Sequence, residues 1–169
     1  MKMKALLIIA PQNFRDEEYF HTKEELEKAG VETVTASRST ETAMGMMGGT
    51  ARPDISLGEV DVNDYDAILF IGGNGSSVYF NNPAALDIAK KADAAGKIVG
   101  AICIAPSILA NAGLLKNKRA TSYPSEESNL RAKGADYTGE DLTVDGRIIT
   151  ADGPSSARDF GRAIARALG

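Results

Sequence analysis

The sequence predicts an α/β domain, a mainly parallel sheet with helices on both faces. Three observations predict it. Apolar runs at Lys4–Ala10, Asp66–Ile71 and Lys97–Ile102 do not alternate with polar residues, as expected of strands buried on both faces. Segments of helical length separate these runs. Gly30, Gly96, Gly113 and Gly134 stand where helical segments stop. At 169 residues, 43% hydrophobic and 25% charged, the chain is long enough for one domain, 1–169, with its own core. It shows no repeat, linker or low-complexity tract.

Lys4–Ala10 (KALLIIA) is the first strand, broken by Pro11-Gln12-Asn13. Phe14–Ala29 reads as a helix and Val31–Ser37 as the second strand. Met44–Leu57, rich in Gly and Met, reads as a hairpin or irregular excursion. Asp66–Ile71 runs directly into the loop Gly72-Gly73-Asn74-Gly75-Ser76-Ser77, followed by a helix over Pro83–Ala95. The strand ending at Cys103 passes almost without spacer into a helix over Ala105–Ala112, with Pro106 in its first turn. A short strand at Arg119–Ser122 and a helix at Ser125–Lys133 come next. Leu142–Val144 and Arg147–Thr150 flank Asp145-Gly146, a strong hairpin signal. Pro154–Leu168 closes the chain as an amphipathic helix, apolar at Phe160, Ile164 and Leu168.

Composition narrows the function. The net charge is −4 and no basic run exceeds two residues, which argues against nucleic acid as a partner. One cysteine cannot form an internal disulfide, and with one histidine it cannot build a typical zinc site. The run Ala5–Ala10 is too short to span a membrane or to serve as a full signal peptide. The expectation is a soluble, cytoplasmic protein without metal or membrane.

In an open α/β sheet, ligands bind beyond the carboxyl ends of the strands. Three loops converge there: Pro11–Glu18, Gly72–Ser77 and the turn at Cys103. Strand, cysteine and helix in immediate succession is the layout of a nucleophile elbow. The macrodipole of the following helix is expected to favour thiolate at Cys103. A buried structural cysteine is the alternative. The glycine loop lacks a dinucleotide fingerprint and a G-K-[ST] ending, and Asp16-Glu17-Glu18 would repel a phosphate, so no nucleotide or flavin cofactor is expected. The backbone N–H groups of Gly73 and Ile104 are placed to serve as oxyanion donors, and Asn74 is a further contact from the same loop.

Glu18 falls about one turn into the first helix, facing the cysteine. If the two meet, both cannot ionise, and a protonated Glu18 donating to a Cys103 thiolate is the consistent state. His21 lies three residues on and reads either as a base or, more simply, as a surface or packing residue. Tyr123 can lend a hydroxyl, as a donor rather than a base. The Met44, Met46 and Met47 group reads as loop packing or an adaptable wall.

Taken together, the run A-I-C-x-x-P-x-x-L-A, the G-G-N loop and the acidic F-R-D-E-E helix start resemble the ThiJ/PfpI superfamily over nearly the whole chain. That group includes a parkinsonism-linked deglycase branch and PfpI-type intracellular proteases. The resemblance implies a flavodoxin-like, doubly wound sandwich of the class I glutamine amidotransferase type. It also implies a nucleophilic Cys103 partnered by Glu18, oxyanion donors at Gly73 and Ile104, and homodimers or larger assemblies, with the Met44–Asp54 region at an interface. The chain departs from the pattern in three places. Ser76-Ser77 occupy the region after the double glycine from which protease-type members lend an acidic residue to a neighbouring subunit. Ile104 stands where protease-type members carry a histidine, and Tyr123 stands where the deglycase and glyoxalase branch carries one. Without a histidine nothing obvious protonates a leaving amine, so peptidase chemistry is poorly supported.

The expected function is therefore thiol chemistry on a small reactive carbonyl, of glyoxalase or deglycase type, or oxidative-stress sensing by the same cysteine. A PfpI-type peptidase or amidase acting on peptides, with His21 or another subunit as base, is the second reading. A non-catalytic, chaperone-like interaction protein is the third.

Overall fold

The structure, a computed structural model, describes residues 2–169. In chain order, strand β1 (Lys4–Ile8) is followed by β2 (Gln12–Phe14), helix α1 (Asp16–Lys28) and β3 (Glu32–Ser37). A small hairpin of β4 (Ala43–Gly45) and β5 (Thr50–Ala51) precedes an edge strand, β6 (Ile55–Ser56). Next come β7 (Ala67–Phe70), α2 (Pro83–Ala94), β8 (Ile98–Ile102) and α3 (Pro106–Asn111). β9 (Arg119–Ala120), α4 (Glu127–Ala132) and β10 (Asp136–Tyr137) lie beyond them. The chain ends in β11 (Leu142–Asp145), β12 (Ile148–Ala151) and α5 (Ala157–Leu168).

Seven strands form one sheet in the order β11-β12-β8-β7-β1-β3-β6, and only the β11–β12 pairing is antiparallel. This is the parallel sheet between helices that the apolar runs predict, in the doubly wound, flavodoxin-like form that the family resemblance implies. Along β1 the side chains divide between two cores. Leu6 and Ile8 join Ile68, Phe70 and Val99 under α2, α3 and α4. Ala5, Leu7 and Ile9 join Leu69, Ile149 and Phe160 under α1 and α5. Strand order reverses about β1, because β3 lies on one side of it and β7 on the other, so a crevice opens at their carboxyl ends.

Helices α1 and α5 press together at Gly161. A Cβ there would lie 2.9 Å from the Glu25 Cβ and 3.0 Å from the Thr22 carbonyl oxygen. The buried Glu25 carboxylate accepts from Arg158 at 2.7 Å and Arg162 at 3.1 Å across the same seam. This contact fixes the position of α1, which carries Glu18.

Four local expectations change. The first helix starts at Asp16 rather than Phe14, because Gln12–Phe14 pairs in parallel with β4 and Asn13 adopts φ 61°. The Met44–Leu57 segment does contain a hairpin, but it ends in β6, which extends the main sheet beside β3. Arg119–Ser122 contributes only the two-residue β9, and it pairs with β10 outside the main sheet. The last hairpin forms with Asp145 opposite Ile148, so its two-residue loop is Gly146-Arg147 rather than Asp145-Gly146. In the first three cases a pairing with a distant segment outweighs local propensity; the last is a one-residue shift of a local turn. Among the described residues, no helix is long and apolar enough to cross a membrane.

Candidate functional site

β8 ends at Ile102, and Cys103 turns sharply out of the strand with φ 66°. A positive φ is uncommon for a residue with a side chain and stores strain. Neighbouring segments hold it there. The Cys103 N–H donates to the Ala151 carbonyl at 2.9 Å, and its own carbonyl accepts from the Tyr123 N–H at 2.7 Å. The predicted strand–turn–helix arrangement is present, with Pro106 opening α3.

Glu18 sits in the first turn of α1 with no exposed surface. The Cys103 thiol and the Gly72 N–H lie close enough to favour its charge. Neither attains full hydrogen-bond geometry, so both carboxyl oxygens are buried without a partner. Gly72 makes this approach possible. A Cβ there would fall 2.5 Å from Glu18 Oε1, 2.6 Å from the Cys103 Cβ and 2.6 Å from the Ile102 carbonyl oxygen. At Gly73 the chain turns with φ 105°, and an added Cβ would lie 2.3 Å from the Arg15 backbone nitrogen. The loop before α1 and the loop after β7 are also joined directly by Arg15 N–H donating to the Gly72 carbonyl at 2.9 Å.

Burial raises the Glu18 carboxyl to about 8. Burial first, and then the Glu18 charge, push the Cys103 thiol up to about 12, while the Gly73 and Ile104 amides pull it back down. This corrects the expectation that a helix dipole lowers the thiol pKa. α3 has only six residues, and desolvation beside a carboxyl outweighs its dipole. The protonated Glu18 expected from the sequence follows from the same burial. The pair titrates as a unit, and at neutral pH it keeps at least one proton.

The thiol opens into a cavity of about 440 Å³ lined by Arg15, Gly73, Asn74, Ile104 and Tyr123, with Met46, Ser125 and Pro154 completing the wall. Tyr123, Asn74, Gly73 and Ile104 thus come together around Cys103, with Tyr123 48% exposed at the rim. His21 does not join them. It lines a separate cavity with Glu17, Arg158 and Arg162. Three residues on, His21 is set about 60° round the helix and nearly a turn further along it than Glu18, and it falls in the cavity beside α5 instead.

The three carboxylates that open α1 have three separate roles. Asp16 accepts from the N–H groups of Met47 at 2.8 Å and Gly49 at 2.7 Å, closing the β4–β5 turn. Glu17 pairs with Arg15, and Glu18 faces the thiol. Sequence reasoning missed Arg15 as a site residue, although it stands inside the F-R-D-E-E motif. It also missed that Gly72, rather than Gly73 alone, opens the space for Glu18. Among the described residues, no cluster of three or more His, Cys, Asp or Glu side chains could hold a metal ion.

A doubly wound sheet with a strained cysteine at the end of a middle strand defines an α/β protein of the nucleophile-elbow type. The DJ-1/PfpI family matches residues 3–167, and the chain belongs to that family. It is similar to a Pyrococcus abyssi protein named as a deglycase, 32% identical over 149 residues, covering 88% of this chain and 90% of the relative. It is also similar to a Caenorhabditis elegans protein named as a glutathione-independent glyoxalase, 27% identical over 164 residues, covering 97% and 88%. The crystal structure of a ThiJ/PfpI domain protein from Brachyspira murdochii superposes with a TM-score of 0.97 at 36% identity, covering 99% of this chain and 98% of that one.

Proposed function

We propose that this protein converts small reactive dicarbonyls by covalent catalysis at Cys103, in the manner of a glutathione-independent glyoxalase. The observation that carries the reading is the Glu18 carboxyl, fully buried, without a hydrogen-bond partner and next to the only thiol. An acid in that environment keeps a proton at neutral pH and can pass it on. The names of the Pyrococcus and Caenorhabditis relatives support the same class of substrate.

With methylglyoxal, the singly protonated pair reacts: the Cys103 thiolate sulfur bonds to the aldehyde carbon, and the carbonyl oxygen takes the one remaining proton from Glu18, leaving its carboxylate. The Gly73 and Ile104 amides face the developing oxyanion. The Glu18 carboxylate then removes the hydrogen of the new hemithioacetal carbon and returns it to the neighbouring carbon, while the hydroxyl proton passes to the neighbouring oxygen. The resulting thioester is hydrolysed by water to lactate and free thiol. Atoms balance as methylglyoxal plus water giving lactate, with no external oxidant.

The test is lactate formation from methylglyoxal by wild type, Cys103→Ser and Glu18→Gln. Each substitution is expected to lower kcat/KM by about 10²-fold or more. Wild-type turnover should change as pH passes through about 8, where the pair loses its first proton. Turnover by wild type that persists in Cys103→Ser, or no lactate from wild type, overturns the proposal. The peptidase reading would need its base from another subunit, since His21 lines a separate cavity.

A further inference from the structure

Arg15 is the one charged side chain, among the described residues, that lines the Cys103 cavity. Its guanidinium is held rigidly. Nε donates to Glu17 Oε1 at 3.0 Å and Nη2 to Glu17 Oε2 at 2.9 Å, in a two-pronged pair. Nη1 has no partner among the described residues. Glu17 itself lines the neighbouring cavity with His21, so the anchoring carboxylate stands outside the Cys103 cavity. The Arg15 backbone is fixed as well, through its N–H bond to Gly72. Glu17 above all, and then the charges on Glu18 and Cys103, hold the guanidinium above its ordinary range, which places Arg15 within electrostatic reach of the reacting pair.

We propose that Arg15 binds a carboxylate on the molecule that Cys103 attacks, so that the preferred substrates are 2-oxoaldehydes with a carboxylate at the far end. This rests on the carbonyl reading above for turnover, but not for recognition. A preorganised guanidinium with a free N–H edge suits a planar carboxylate, whereas a neutral methyl group gains nothing from it. The remaining wall, with Asn74, Tyr123 and Ser125, offers only neutral polar groups. For 4,5-dioxopentanoate the chemistry is unchanged. Sulfur adds to the terminal aldehyde carbon, hydrogen moves to the adjacent carbon, and water releases 2-hydroxyglutarate.

Two measurements test this. The first is the rate of Cys103 alkylation by iodoacetate relative to iodoacetamide, two probes that differ in a carboxylate, with glutathione as the unstructured reference. Wild type should favour iodoacetate relative to glutathione, and Arg15→Gln should lower that ratio about tenfold, with Arg15→Lys intermediate. The second is kcat/KM for 4,5-dioxopentanoate over that for methylglyoxal, whose ratio should fall about tenfold in Arg15→Gln, chiefly through KM. An unchanged alkylation ratio in Arg15→Gln overturns the proposal. A falling alkylation ratio with neither aldehyde turned over upholds carboxylate recognition and overturns the glyoxalase reading instead.

Discussion

Glu18 is a carboxyl with no exposed surface and no hydrogen-bond partner, and it imposes a cost on the fold whenever it ionises. Its folded-state value of about 8 stands well above the roughly 4.3 of an unfolded glutamate. The folded protein therefore binds this proton more tightly than the unfolded chain does. The stabilisation is fully present below about pH 4 and is lost as pH rises through about 8, amounting to on the order of 5 kcal/mol. Urea midpoints at pH 5, 7 and 9 should accordingly fall for wild type, and Glu18→Gln should flatten the trend across that window. A variant as steep as wild type would locate the pH dependence elsewhere. Cys103, raised above its ordinary value by burial, extends the same decline to higher pH.

The β4–β5 hairpin carries Met46 into the wall of the Cys103 cavity, yet it has little apolar anchorage of its own, with Met44 and Met47 exposed. Its turn is held by the Asp16 carboxylate on two backbone N–H groups, together with the Gly45 N–H bond to the Gly49 carbonyl and the Met46 N–H bond to the Phe14 carbonyl. There is no room for anything larger, since a Cβ at Gly45 or Gly49 would lie 2.5 Å from that carboxylate. Asp16→Ala leaves both donors without their acceptor, at a cost of about 2 kcal/mol. Faster amide exchange and proteolysis confined to residues 43–51 should follow, with the sheet core unaffected. Uniform loss of protection would show that Asp16 supports the whole fold instead of the hairpin.

The site is assembled from two bodies, the sheet that bears Cys103 and the helix that bears Glu18, and the α1–α5 seam sets their spacing. Gly161 is a point of close approach, where a Cβ would meet the Thr22 carbonyl oxygen and the Glu25 Cβ. Gly161→Leu should separate the helices, cost about 1–3 kcal/mol in stability, and shift the pH midpoint of Cys103 alkylation as Glu18 recedes. Loss of stability with an unshifted midpoint would mean that α1 is positioned by β3 and the hairpin rather than by α5.

The central strands were legible because their near-continuous apolar character follows from burial on both faces, a property each segment carries by itself. The elbow was legible for a similar reason, since a strand, one cysteine and a proline-opened helix leave a turn only one place to form. Glu18 as the partner of Cys103 and the convergence of Gly73, Ile104 and Tyr123 were also within reach, because strand-end loops in this topology meet at one edge. The short strands β2, β6, β9 and β10 were not, for a pairing of two or three residues has too little local signal to register. Nor did the sequence separate the work of Asp16, Glu17 and Glu18, adjacent carboxyls that helical rotation sends to a hairpin, an arginine and a thiol. What the sequence by itself determined is the layered parallel sheet and the meeting of Glu18 with Cys103, because hydrophobic pattern marks the strands and strand-end loops of such a sheet converge at one edge. The tertiary structure alone decided the protonation of that pair, the exclusion of His21 and the aim of Arg15, because desolvation and charge depend on groups brought near from distant parts of the chain.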